Sequence, residues 1–154
     1  MNFITCESEI YCGVVDIIKP TIFLMNDHFY WDTQMLKALI TTVPFGDKNK
    51  LPLELLEAAG IQYIINPIGR KLKEDELAEM VSDFDVLIAG TEPITKKVMD
   101  AATNLKLISR VGIGLDSVDL LEAEKRGVIV SYTPDAPAPA VAELTLGLMI
   151  TLLR

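Results

Sequence analysis

Cysteine, histidine and basic charge are all scarce in this sequence. Two cysteines, Cys6 and Cys12, are too few for a disulfide framework or a four-ligand zinc site. They read as free thiols of a cytoplasmic protein. The only histidine is His28, so a Ser–His–Asp or Cys–His group would have to recruit that one residue. Fourteen basic residues face 22 acidic ones, for a net charge of −8. That balance argues against nucleic-acid or anionic-membrane partners, both of which need a basic surface. No secretory leader shows: residues 1–34 carry Glu7, Glu9, Asp16, Asp27 and Asp32 against Lys19 alone. The most apolar stretch, 138–153, is shorter than the ~20 residues of a spanning helix and contains Glu143. It reads as a core or inter-domain helix.

What is present is an ordinary globular composition, half apolar, in 154 residues. From Leu36 onward short β-branched runs alternate with helical stretches. The strand candidates are 36–42 (LKALITT), 61–66 (IQYIIN), 85–90 (DVLIAG), 107–111 (LISRV) and 128–132 (VIVSY). Each is a nearly continuous apolar run, the pattern of a strand buried on both faces of a parallel sheet. The helix candidates are 52–59, 74–81, 95–102, 117–126 and 138–153. Gly60 and Gly127 supply stops, and Thr95 and Ser117 are N-cap candidates. The acids Glu74, Asp75 and Glu76 read as a solvated helix start matched to the helix dipole. Alternation of this kind predicts an α/β three-layer sandwich with right-handed crossovers and a five-stranded parallel sheet. Five strands suit the flavodoxin-like order 2-1-3-4-5. Residues 1–34 do not share the rhythm and form an appendage of uncertain order, with 21–25 (TIFLM) as a candidate extra edge strand. Met35 offers an alternative start. Three prolines within 133–139 make a stiff connector, either a domain boundary or a plain strand-to-helix loop.

In open α/β sheets ligands bind beyond the C-terminal ends of the strands. Three loops there are informative: 91–95, 112–116 and the proline-rich connector. Gly112 and Gly114 flank Ile113 between a strand and a helix, where backbone N–H groups can approach an anion closely. Arg110, two residues earlier, carries a guanidinium suited to a carboxylate or phosphate. The loop is either an anion cradle or a tight turn beside a surface arginine. It is a poor dinucleotide fingerprint, reading G-I-G-L-D-S with serine at the third glycine position, and Asp135 stands in a proline-rich run. A receiver domain needs an aspartate at the end of the third strand, where Ala89, Gly90 and Thr91 stand instead.

Residues 105–154 resemble the D-isomer-specific 2-hydroxyacid dehydrogenases, most closely the phosphoglycerate dehydrogenase branch. The R-x-G-x-G-x-D-x-V-D run at 110–119 and the T-P…V-A-E-L-T run at 133–145 carry the resemblance, which extends upstream through 90–95 to about Met35. It implies a substrate domain over 35–137 and a linker helix over 138–154 leading to an NAD-binding domain. It implies that the backbone of Val111, Gly112, Ile113 and Gly114 holds the substrate carboxylate and that Ile113 lies near the nicotinamide of NAD. It also implies that Arg110 meets a substrate phosphate and that Thr91 forms a cleft wall. Members of that branch carry an Arg-Ser pair where this chain has Gly90 and Thr91, which leaves 3-phosphoglycerate as one substrate among several. The family's dinucleotide fingerprint, catalytic arginine and acid–base pair follow the linker helix. The expectation is therefore a fragment of a cytoplasmic enzyme, homodimeric at full length, that binds a 2-hydroxyacid or 2-oxoacid and is inert alone. The alternative is a stand-alone small-anion-binding or interaction module.

Overall fold

A computed structural model describes residues 4–5, 36–134 and 138–153 of the chain. Among them six strands form one sheet: β1 (Ile4–Thr5), β2 (Lys37–Ile40), β3 (Gln62–Ile65), β4 (Val86–Ala89), β5 (Leu107–Arg110) and β6 (Ile129–Tyr132). Between them run the helices α1 (Leu51–Ala58), α2 (Glu74–Met80), α3 (Lys96–Ala101) and α4 (Leu120–Arg126), and α5 (Ala138–Leu152) follows β6. The spatial order is β1-β6-β5-β4-β2-β3 and every pairing is parallel. Leaving β1 aside, this is the expected 2-1-3-4-5 order. The sixth strand comes from Ile4–Thr5 on the β6 edge, while the segment proposed for an edge, 21–25, lies outside the described residues.

The apolar runs sort by parity, as a pleated strand requires. Leu39, Leu87, Ala89, Ile108 and Val130 bury one face against Leu77 of α2, Val98 and Met99 of α3 and Ala123 of α4. Ala38, Ile40, Val86, Ile88 and Leu107 bury the other with Leu56 of α1 and Phe45. Because both faces are covered, the runs lack hydrophobic–polar alternation.

Two helix starts differ from expectation. Ser117 does not cap α4. Residues 117–119 are drawn into a bridge with Ile94, whose N–H donates to the Ser117 carbonyl at 2.8 Å while its carbonyl accepts from the Asp119 N–H at 3.0 Å. The helix starts after this bridge, and the Asp119 carboxylate caps it by accepting from the Glu122 N–H at 3.0 Å. Thr95 does stand at the N-cap of α3, but its hydroxyl donates to Glu74 and caps nothing. Gly127 ends α4 in the left-handed conformation at φ +69, as expected. Helix α5 has no buried residue: Val141, Leu144, Leu146, Leu148, Met149, Ile150 and Leu152 are all exposed.

Candidate functional site

Every buried polar side chain among the described residues sits at or just past the C-terminal end of a strand. These are Thr41 after β2, Asn66 after β3, Glu92 after β4, Ser109 and Arg110 in β5, and Ser131 and Thr133 at β6. Burying polar groups is costly unless they are partnered, so their concentration at one edge marks where the fold spends stability on shape.

The loop after β5 holds Val111, Gly112, Ile113 and Gly114 together, as the sequence places them. The Val111 N–H donates to the Ala89 carbonyl at 2.8 Å. The Gly112 N–H donates to Thr133 Oγ1 at 2.8 Å, and the Gly112 carbonyl accepts from the Thr133 N–H at 3.1 Å. Thr133 thus clasps Gly112 from both sides. Gly112 has φ +140, and a Cβ there would stand 2.6 Å from Arg110 Nη1. Only glycine meets both demands. A Cβ on Gly114 would meet the Asp116 side chain, with Oδ1 at 2.7 Å, and no backbone atom. Two of the four amides are therefore spent on internal bonds. The N–H groups of Ile113 and Gly114 bond to no described residue, and Ile113 is 55% exposed at the tip of the turn.

Arg110 is only 7% exposed. Its Nη1 donates back to the Val111 carbonyl, and its Nε is buried without a partner. The guanidinium lies under the turn against Gly112, so it is neither the surface arginine nor the freely projecting fork weighed from the sequence. Strand register explains its burial: Arg110 is flanked by Ala89 of β4 and Tyr132 of β6.

Thr91 is exposed, and its loop is anchored from below by Glu92, a residue the sequence did not single out. Glu92 is 1% exposed; its Oε1 accepts from the Gly90 N–H at 2.8 Å and from the Thr41 hydroxyl. A side chain at Gly90 would strike this carboxylate, with Glu92 Oε2 at 2.9 Å. Ile94, through its bridge to Val118, ties the Thr91 loop to the segment that follows the glycine turn. The only sequence signal for Glu92 was its adjacency to Thr91; for Thr133 it was membership of the T-P run.

Beyond the turn the surface is ionic. Arg70 grips Glu76 through two hydrogen bonds of 2.9 and 2.7 Å, and the Lys73 N–H donates to the same carboxylate at 2.9 Å. These partners hold the Glu76 carboxyl at about 2, well below the ordinary 4.5, Arg70 contributing most. No described cluster of His, Cys, Asp and Glu is arranged to hold a metal, and no described helix is long and apolar enough to cross a membrane. His28, Cys6, Cys12 and residues 135–137 of the connector lie outside the described residues.

Residues 43–150 match the family model described as D-isomer specific 2-hydroxyacid dehydrogenase, catalytic domain. Similar proteins include the D-3-phosphoglycerate dehydrogenase of Methanocaldococcus jannaschii, 37% identical over 122 residues, which cover 78% of this chain and 22% of that one. The hydroxypyruvate reductase of Thermotoga maritima is 43% identical over 84 residues, covering 54% and 28%. Among solved structures, the NAD+-bound 3-phosphoglycerate dehydrogenase of Entamoeba histolytica superposes with a TM-score of 0.68 at 28% identity, over 76% of this chain and 39% of that one. The chain thus spans well under half the length of each of these relatives.

Proposed function

This chain belongs to the D-isomer-specific 2-hydroxyacid dehydrogenase family, and on that premise we propose that it forms the substrate side of an NAD-dependent oxidoreductase acting on the CH–OH group of a D-2-hydroxyacid. The observation that carries this reading is the exposed tip of the β5 loop, with the N–H groups of Ile113 and Gly114 bonded to no described residue and the Arg110 guanidinium buried beneath the turn.

A carboxylate seated there accepts from those two amides, and the cation beneath favours its charge. Val111 and Gly112 act indirectly, since their own N–H groups fix the turn on Ala89 and Thr133. Thr91, raised by Glu92, walls the opposite side. Ile113 presents an apolar surface that excludes water from the reacting carbon and fits the face of a nicotinamide. A bound NAD would supply the hydride acceptor for C2 of the hydroxyacid. Beside the turn the described residues offer one carboxylate, Asp116, and no histidine; the hydroxyl proton and the dinucleotide fall to further polypeptide. Exposed apolar α5 is the face on which an NAD-binding domain packs, and in the full-length enzyme a second subunit. By itself the 154-residue chain binds and does not turn over. The substrate is a small 2-hydroxyacid or the matching 2-oxoacid, with 3-phosphoglycerate in that class, and the compartment is the cytoplasm.

The test is amide NMR of the chain titrated with D-lactate and D-glycerate. Shifts centred on Ile113, Gly114 and Thr91 are expected, with no NADH formed when NAD is added. Shifts elsewhere, or none, overturn the site; NADH formation overturns the claim of inertness. A small-anion-binding module without catalysis uses the same two free amides. It is favoured if the chain is a stable soluble monomer despite α5, and disfavoured if it associates.

A further inference from the structure

Among the described strands β3 closes one side of the sheet, with no strand beyond it. Its backbone bonds to β2 fall on alternate residues. The Gln62 N–H donates to the Leu36 carbonyl at 2.9 Å, and past the strand end the Asn66 N–H donates to the Ile40 carbonyl at 2.8 Å. The N–H and C=O groups of Tyr63 and Ile65 therefore point away from β2, along the open edge. Open edges are usually blunted by charge, proline or a bulge. Gln62–Ile65 carries neither charge nor proline, and Ile64 stands 53% exposed on it. Pro67, which has no N–H, ends this unblunted run.

Charge is divided along the same edge. At its C-terminal end the stretches 41–50 and 66–73, which follow β2 and β3, carry Lys48, Lys50, Arg70, Lys71 and Lys73 against Asp47. Of these Arg70 is held by Glu76. At the N-terminal end an open cavity of about 720 Å³ beside the start of β3 is bordered by exposed Glu57 and Asp83, with Lys37 as the one cation of its lining. The edge is thus basic at one end and acidic at the other. A chain of net charge −8 repels its own copies in any arrangement that does not bring unlike ends together.

We propose that β3 is a docking edge for a second copy of this chain, paired antiparallel about a two-fold axis at Ile64. This goes beyond the function proposed above and stands without it. The outward-pointing groups set the register. Tyr63 of each copy exchanges both backbone hydrogen bonds with Ile65 of the other. Ile64 then meets its own symmetry mate in the close, non-hydrogen-bonded pair, with Cα atoms about 4.5 Å apart. The bonded pairs oppose an aromatic side chain to a β-branched one, a favourable cross-strand combination. Antiparallel pairing also lays the basic end of each edge against the acidic end of its mate, and the cavity gives the lysine side chains room to enter. A parallel match would oppose like ends. The contact is isologous and joins the two sheets into one. The β5 turn, three positions inward from β3, stays open in both copies.

The test uses the full 154-residue chain with association through α5 first removed by Leu144→Lys/Leu148→Lys. Sedimentation should still show a dimer. Adding Ile64→Lys, at an exposed site that leaves the circular dichroism unchanged, opposes like charges across the axis and should give a monomer. Cross-linking reads the register independently, in a Cys6→Ser/Cys12→Ser background. Mild oxidation should link Ile64→Cys to its mate, because their separation falls within the about 4.4–6.8 Å that a disulfide spans. Gln62→Cys, about 14 Å from its mate at roughly 3.4 Å per residue, should stay unlinked. A monomer in the α5 variant, a dimer that survives Ile64→Lys, no link at Ile64→Cys, or equal linking at both cysteines overturns the proposal.

Discussion

The two ends of the parallel strands treat polarity in opposite ways. At the N-terminal end, charged groups lie at the surface and pair there: Asp85 accepts from Lys106 Nζ at 2.7 Å and from the Lys37 N–H at 3.1 Å, and Tyr63 donates to Glu57 at 2.8 Å. At the C-terminal end the polar side chains are buried, and they hold loops rather than one another's charges. Thr133 holds Gly112, Glu92 holds Gly90, and Asn66 holds the loop that reaches Arg70. The first end is solvated surface. The second is scaffolding for loops, among them a turn whose Ile113 and Gly114 N–H groups bond to no described residue, which is how a binding edge differs from a merely wet one.

That contrast can be broken most sharply at Gly112. Alanine there must adopt φ +140 and displace the Arg110 guanidinium. A loss of about 1–3 kcal/mol is expected in denaturant unfolding, with loss of the hydroxyacid shifts at Ile113 and Gly114. Gly114→Ala should cost much less, and equal damage at both positions would contradict the assignment of strain to Gly112 alone. Next comes Glu92→Ala, which leaves the buried Gly90 N–H without an acceptor. A cost of about 1–3 kcal/mol is expected, together with faster hydrogen exchange in the Thr91 loop. At the opposite end Lys106→Ala removes a part-buried ion pair that holds no loop and should cost about 1 kcal/mol. A larger loss there would erase the distinction between the ends.

Glu76 sharpens the comparison from within the C-terminal side, because its ion pair is exposed. Its folded value of about 2 lies below the ordinary 4.5. Whatever stability it lends is therefore complete above pH 4.5 and is lost as pH falls through about 2. Carboxyl-detected NMR should show that low midpoint, and Arg70→Ala should return it toward the ordinary range. The smallest effect on folding is expected in α5. Leu144→Lys with Leu148→Lys removes apolar groups that bury nothing in the chain, so unfolding should move by less than about 0.5 kcal/mol. Sedimentation should nonetheless show weaker self-association.

Much of this was legible in the residues. The apolar runs of β2, β4 and β5 announced a two-sided parallel sheet, Gly127 announced the end of α4, and Gly112 and Gly114 announced a turn beyond a strand end. The misreadings share one cause. Ser117 has the right chemistry for a cap, but Ile94, more than twenty residues earlier, pulls its backbone into a bridge. Arg110 has the right chemistry for a projecting fork, but the register of β4 and β6 encloses it. Glu92, which the sequence did not single out, is enclosed by Thr41 at the end of another strand.

The sequence alone determined the element types, because periodicity and glycine placement act within a few residues of themselves, and its motifs pointed to the family; the strand order it suited without fixing. Which amides of the turn are taken by internal bonds and which charge goes under the turn were decided only by tertiary structure. Those outcomes depend on groups brought together from different strands, and no local preference along the chain encodes their distances.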